Sequence, residues 1–96
     1  MLTKKMAVDG KVRVGFCLPA NVGADHAALC GEFTEWTPSK PMKRAKDGSW
    51  RVSVALAAGR AYRFRYLLDG ERWENDWDAD GYVPNPFGGE DSIVAL

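Results

Sequence analysis

The chain has 96 residues, enough for one domain that buries a core without disulfide or metal staples. A 46% hydrophobic content marks a globular chain, and 13 basic against 13 acidic residues give no net field to favour nucleic acid or an anionic membrane. The start, MLTKKMAVDG, lacks the apolar run of a signal peptide, and no stretch approaches the roughly 20 apolar residues of a spanning helix, so a soluble cytoplasmic protein is expected.

Residues 1–10 read as a flexible N-terminal arm ending in the turn-prone Asp9-Gly10, ahead of one domain over 11–96. From Lys11 to Leu18, Val12, Val14, Phe16 and Leu18 alternate with Arg13, Gly15 and Cys17, the pattern of a half-buried strand. Pro19 to Asp25 breaks it. Alternation resumes from His26 to Phe33, and Thr37-Pro38 and Pro41 stop it again. Lys40 to Arg44 is a short, partly extended basic piece. Asp47-Gly48 signals a hairpin into Trp50, Val52, Val54 and Leu56, with Trp50 in the core by register.

The central stretch is YRFRYLLDGERWENDW, from Tyr62 to Trp77. Tyr62, Phe64, Tyr66 and Leu68 share one face, and Arg63, Arg65 and Leu67 the other. Asp69-Gly70 tolerates positive φ and favours a tight hairpin. Past the turn come Trp73, Glu74, Asn75, Asp76 and Trp77, more aromatic and hydrogen-bonding surface than a core requires. Asp78 to Gly89 reads as a long ordered loop, and Ser92 to Leu96 as a closing strand left exposed. No segment shows helical periodicity, so an antiparallel sandwich or a small barrel is expected.

Cys17 and Cys30 are read as free thiols of a reducing compartment, on strands that could be neighbours; with one histidine, His26, their spacing fits no zinc site. Asp76-Trp77-Asp78-Ala79-Asp80-Gly81 opens like a calcium loop, but its twelfth position is Phe87 where a bidentate Glu is needed, and no helices flank it. The run is therefore read as scaffolding of its own loop, and no metal or cofactor is expected. Glycoside hydrolysis needs two carboxylates across a cleft. Asp69, Glu74 and Asp76 lie on one loop system instead, and there is no Gly-rich phosphate loop, so no enzyme is expected.

Several fragments together carry a resemblance. Gly31-Glu32-Phe33-Thr34-Glu35-Trp36 is similar to the G-D-F-N-x-W turn of the early-set glycogen-binding domains, the family-48 carbohydrate-binding modules of isoamylases, branching enzymes and the beta subunit of AMP-activated kinase. Pro41 to Arg44, Asp47-Gly48-Ser49-Trp50, the Tyr62 to Gly70 strand, Asn85-Pro86-Phe87-Gly88-Gly89 and Asp91-Ser92-Ile93-Val94 follow in the family's order, from about Lys11 to Leu96. The resemblance implies an all-β, immunoglobulin-like antiparallel β-sandwich and a non-catalytic module for α-glucan: glycogen, starch or maltooligosaccharide. Position by position, Trp36 and Trp73 match the sugar-platform tryptophans, with one residue inserted after Gly70. Arg65 matches a sugar-bonding lysine, Phe87 an apolar residue pressed on the glucan, and Asp91 a sugar-bonding asparagine. Thr34 stands where Asn is usual, and Gly89 where some members place a hydroxyl, which removes that contact.

The chemistry suits such a ligand independently. An aromatic ring offers a flat apolar surface to the C–H face of a pyranose, and planar groups such as Arg65, Asn75, Asp76 and Asp91 can bond pairs of hydroxyls. Alternatives stand beside these roles. Trp36 could be a structural plug, Arg63 and Arg65 a solvated strand face, and Trp77 is expected to pack under the long loop. The competing function is a protein-docking module that regulates or targets a separate glucan-active enzyme or a kinase-like partner, with Ser92 to Leu96 open to strand addition.

Overall fold

Alternation of apolar and polar residues sets the architecture of the chain. The computed structural model describes residues 1–6 and 9–96. Its strands are β1 (Leu2–Met6), β2 (Lys11–Leu18), β3 (Ala27–Gly31), β4 (Lys40–Pro41), β5 (Lys43–Arg44), β6 (Trp50–Ala57), β7 (Ala61–Leu68), β8 (Arg72–Glu74), β9 (Gly81–Pro84) and β10 (Glu90–Ala95). Two short 3-10 turns, Ala20–Val22 and Glu32–Thr34, are the helical elements among the described residues.

The strands form two antiparallel sheets packed as a sandwich. One has the order β1-β2-β6-β5 and the other β4-β3-β7-β10-β9, with β8 added to β7. The expected all-β, immunoglobulin-like sandwich is what the chain builds. Val12, Val14, Phe16 and Leu18 of β2, with Trp50 and Leu56 of β6, face Leu29, Tyr62, Phe64, Tyr66, Leu68 and Val94 across the core. Phe16 and Phe64 meet edge to face, with centroids 5.0 Å apart, so the two sheets interlock through aromatic rings. Burying this set removes most of the large apolar side chains from water at roughly 25 cal/mol per Å².

The turn chemistry follows the sequence. Asp69 and Gly70 both take positive φ, 55° and 70°, and join β7 to β8. The Asp69 carboxylate accepts the backbone N–H groups of Asp25 (2.8 Å) and His26 (2.9 Å), which ties this turn to the start of β3 and holds its carboxyl below the usual range.

Four expectations are corrected. Residues 2–6, read as part of a flexible arm, pair along β2 from Leu2↔Phe16 to Met6↔Val12; Ala7 and Val8 lie outside the described residues. An edge strand bearing two lysines needs no apolar alternation, so the pattern gave no sign of it. The loop from Asp78 to Gly89 contains β9. The closing strand is not free: β10 is hydrogen-bonded to β7 on one side and β9 on the other, which leaves no edge for strand addition. Cys17 and Cys30 are free, as expected, but they belong to different sheets and so do not sit on neighbouring strands.

The Asp76–Gly81 run ties the loop to the sandwich. Asp76 is buried. Its Oδ2 accepts the Tyr66 hydroxyl and the Met1 ammonium, each at 2.6 Å, and its Oδ1 accepts the Asp78 N–H. Burial and the Asp76 charge push the Tyr66 phenol upward, so it remains a donor. Asp80 accepts Lys4 Nζ (2.6 Å) and the Ala95 N–H (2.7 Å). The carboxylates turn to separate partners, and among the described residues no cluster of three His, Cys, Asp or Glu is placed to hold a metal.

Candidate functional site

The candidate site is the outer face of the larger sheet. On β7, Arg63, Arg65 and Leu67 point away from the core, because Tyr62, Phe64, Tyr66 and Leu68 point into it. Register sets their neighbours. Leu67 lies opposite Trp73 of β8, Arg65 opposite Cys30 of β3, and Arg63 opposite Ile93 of β10. The Arg65 guanidinium sits over the Trp73 ring, 4.8 Å from its centroid. This cation–π contact orients a ring that is still 42% exposed.

Asp91 anchors the other side of Arg65. It is buried, and its carboxylate lies 3.4 Å from Arg65 Nε and 3.7 Å from Arg63 Nη1. Arg65 Nε is itself buried without an aligned hydrogen bond among the described residues, so the pair is Coulombic rather than directional. Cys30 lies beneath; burial pushes its thiol up, and Arg65 offsets part of that shift.

Two loops complete the surface. After β3 the chain makes the 3-10 turn Glu32–Thr34 and then places Glu35 and Trp36 at positive φ, 54° and 60°. Left-handed backbone at two successive non-glycine residues is strained, and it holds because the turn is over-determined. The Thr34 hydroxyl accepts the Gly31 N–H (2.9 Å) and donates to the Gly31 carbonyl (3.1 Å), and the Trp36 N–H donates to that same carbonyl (2.9 Å). Thr34 thus closes the turn by its own hydroxyl where the resembled motif has Asn. Glu32 Oε1 accepts the Arg63 N–H (2.7 Å) and pins the turn to β7. Gly31 is required by space: a Cβ there would stand 2.7 Å from the Arg63 carbonyl oxygen. Between β9 and β10, the Asn85 side chain accepts the Phe87 and Gly89 N–H groups and donates to Asp91, which fixes a hairpin whose Phe87 ring is 89% exposed.

A cleft of about 440 Å³ lies between these loops, lined by Trp36, Arg63, Arg65, Asn85, Phe87 and Asp91 among others. Of the residues expected at the site, Trp36, Arg65, Phe87 and Asp91 line this cleft, and Trp73 adjoins it through Arg65. Asn75 is not brought in. Its amide donates to the Glu90 carbonyl (2.8 Å) and accepts the Ser92 hydroxyl (2.8 Å), so it staples the end of β8 to β10. Asp76 is likewise buried away from the surface. Glu32, Asn85 and Pro86 join the cleft beyond the residues expected there. Arg63 was legible as the residue two before Arg65 on the same face; the others depend on loop closure.

Trp77 differs from expectation. Rather than packing under the long loop it is 55% exposed, because its indole N–H donates to Glu74 (2.6 Å) and holds the ring outside. Trp50 is buried under the Arg44 guanidinium, as its register requires.

Among the described residues no helix is long and apolar enough to cross a membrane. A comparison with curated proteins found no match. A family model described as the glycogen recognition site of AMP-activated protein kinase matches residues 16–80. That span holds β3, the Trp36 turn, β7 and Trp73, and ends before Phe87 and Asp91. With well over half its length matched, and with the outer face of β7 and the Trp36 turn inside the match, the chain belongs to the glycogen recognition family of AMP-activated protein kinase.

Proposed function

We propose that the outer face of the larger sheet binds α-glucan without catalysis, by stacking pyranose rings on Trp36 and Trp73. The observation that carries this reading is the convergence of Trp36, Arg65, Trp73, Phe87 and Asp91 from separate segments onto one surface. Two half-exposed indoles and a protruding phenyl ring offer apolar faces to sugar C–H surfaces, while the Arg63 and Arg65 guanidiniums line the same cleft for the hydroxyl belt. A shallow cleft between loops suits a curved α-1,4 chain. Affinity is modest, micromolar to millimolar, since each sugar hydroxyl exchanges water hydrogen bonds for protein ones.

The cleft also holds two carboxylates, Glu32 and Asp91. Glu32 is committed to the Arg63 N–H, and the Asp91 carboxylate is held beside the Arg63 and Arg65 guanidiniums. Both carboxylates are thus engaged by groups of the surface itself, which supports binding rather than hydrolysis. The experiment is native electrophoresis with and without glycogen or amylopectin, joined to a cyclodextrin titration followed by tryptophan fluorescence. Retardation and a saturable fluorescence change are expected; the absence of both would overturn the reading.

A second reading, docking to a separate glucan-active enzyme, is favoured by one observation on the opposite face. A groove of about 580 Å³ there is lined by Thr3, Gly15, Cys17, Lys43, Arg51 and Ser53 among others. The strands of that sheet contain no acidic residue. Arg51→Glu with Lys43→Glu would abolish capture of such an enzyme and leave glucan binding intact.

A further inference from the structure

Trp77 is the most exposed tryptophan among the described residues, at 55% against 42% for Trp73 and 36% for Trp36, yet it lies outside the cleft. Its position follows from the β8 register. Trp73 pairs with Leu67 and points outward with it, whereas Glu74 pairs with Tyr66 and points to the opposite side. Glu74 Oε2 accepts the Trp77 indole N–H at 2.6 Å, so the Trp77 ring is held on the side of β8 away from Trp73. Among the described residues β8 pairs with β7 alone, so the two rings flank a free margin of the sheet.

A second ring on the same loop is held in the same way. Tyr82 is 43% exposed; its hydroxyl donates to the Asp76 carbonyl (2.6 Å) and lies 3.3 Å from the Ala79 N–H, which donates to it. Both rings have their polar groups satisfied internally. What each presents to solvent is an apolar surface in a fixed orientation, at little further entropy cost on binding. The exposed carboxylate of Asp78 lies next in the chain as an acceptor for hydroxyls.

We propose that Trp77, with Tyr82 beside it, is a second sugar platform, which takes a further stretch of an α-glucan chain after that chain has passed over the margin of β8 from Trp73. This rests on the reading of the Trp36–Trp73 face as a glucan surface. The occupant follows from continuity: the two platforms flank a single three-residue strand, and a curved glucan chain turns about its own axis on that scale. A compact ligand fills the first platform alone. A long chain engages both, and the second contact is then intramolecular.

The test compares Trp77→Ala, Trp77→Phe and Trp73→Ala against β-cyclodextrin and against glycogen, by calorimetry and affinity electrophoresis. Trp77→Ala is expected to leave β-cyclodextrin affinity within about twofold and to weaken glycogen retention by about tenfold, with Trp77→Phe restoring most of it. If Trp77→Ala binds glycogen as the unaltered protein does while Trp73→Ala loses both ligands, the second platform is refuted and the first stands. If Trp77→Ala loses β-cyclodextrin as well, the two-platform division is refuted. If Trp73→Ala keeps both ligands, the primary reading fails and this one with it. Thermal melts of each variant distinguish unfolding from the absence of a stacking ring, and Trp77→Phe retains a ring should the alanine variant unfold.

Discussion

Replacing Trp73 by Ala separates the functional reading from a structural one. The ring is 42% exposed, which for an indole side chain leaves roughly 100 Å² open to a ligand. A stacked pyranose that covers about 80 Å² of it contributes about 2 kcal/mol at 25 cal/mol per Å², so the variant should lose roughly 30-fold in affinity for β-cyclodextrin. The stability effect is smaller. The folded state gives up the cation–π pair with Arg65 at 4.8 Å, about 0.5 to 1 kcal/mol at an exposed site, with some packing against Leu67. For a domain of this size that corresponds to a fall in Tm of about 2–8 °C. Isothermal calorimetry gives the affinity and a circular dichroism melt gives Tm. Unchanged affinity would refute the platform, and a fall in Tm well beyond about 10 °C would show that the ring is a core element.

Phe87→Ala should leave Tm unchanged, within about 0.5 kcal/mol, because the ring is 89% exposed, and should lower affinity for long glucans; affinity electrophoresis on amylopectin checks it. Gly31→Ala should destabilise by about 1–3 kcal/mol, since the new Cβ meets the Arg63 carbonyl and the Phe33 ring, and should also weaken glucan binding through the displaced Trp36 turn; denaturant melts and cyclodextrin titration check both effects. Tyr66→Phe should cost about 1.5–3 kcal/mol, because it removes a donor from the buried Asp76 carboxylate, and a urea melt measures it. Asp69 is held below the usual carboxylate range by the His26 and Asp25 N–H groups, so its contribution to stability is present above the unfolded value, about pH 4, and is lost as pH falls through the lower folded value. Asp69→Ala should therefore flatten the fall in Tm on acidification, and melts across that range test it.

Much of the fold was legible because the long strands alternate cleanly. The Val12–Leu18 and Tyr62–Leu68 patterns define inward and outward faces at once, so Arg63 and Arg65 could be set on the outer face from sequence. β1 and β9 were not legible. Both are edge strands with little inward apolar surface, and pairing rather than pattern defines them. Asn75 was misplaced for a related reason. Its neighbours suggested exposure, but its amide is consumed by Glu90 and Ser92, partners distant in sequence that no local pattern reveals. A tryptophan beside a Pro- and Gly-rich loop commonly packs beneath it, which is why Trp77 suggests a buried ring; the Glu74 hydrogen bond turns it outward.

The surface and the core are two faces of one register. Glu32 reaches the Arg63 N–H, Asn85 reaches Asp91, Asp91 faces Arg63 and Arg65, and Arg65 covers Trp73. Trp36, Trp73 and Phe87 are thus referenced to β7 or to β10 beside it. A slip of one residue between these strands would carry Arg63 and Arg65 into the space held by Phe64 and Tyr66, and would bury two guanidiniums in an apolar core. The penalty for that slip fixes the register more firmly than any contact on the outer face. The outer groups therefore need no strong interactions of their own to stay in place: the aromatic core opposite them holds Arg65, Asp91 and the two anchored loops in position, and leaves the outer rings exposed.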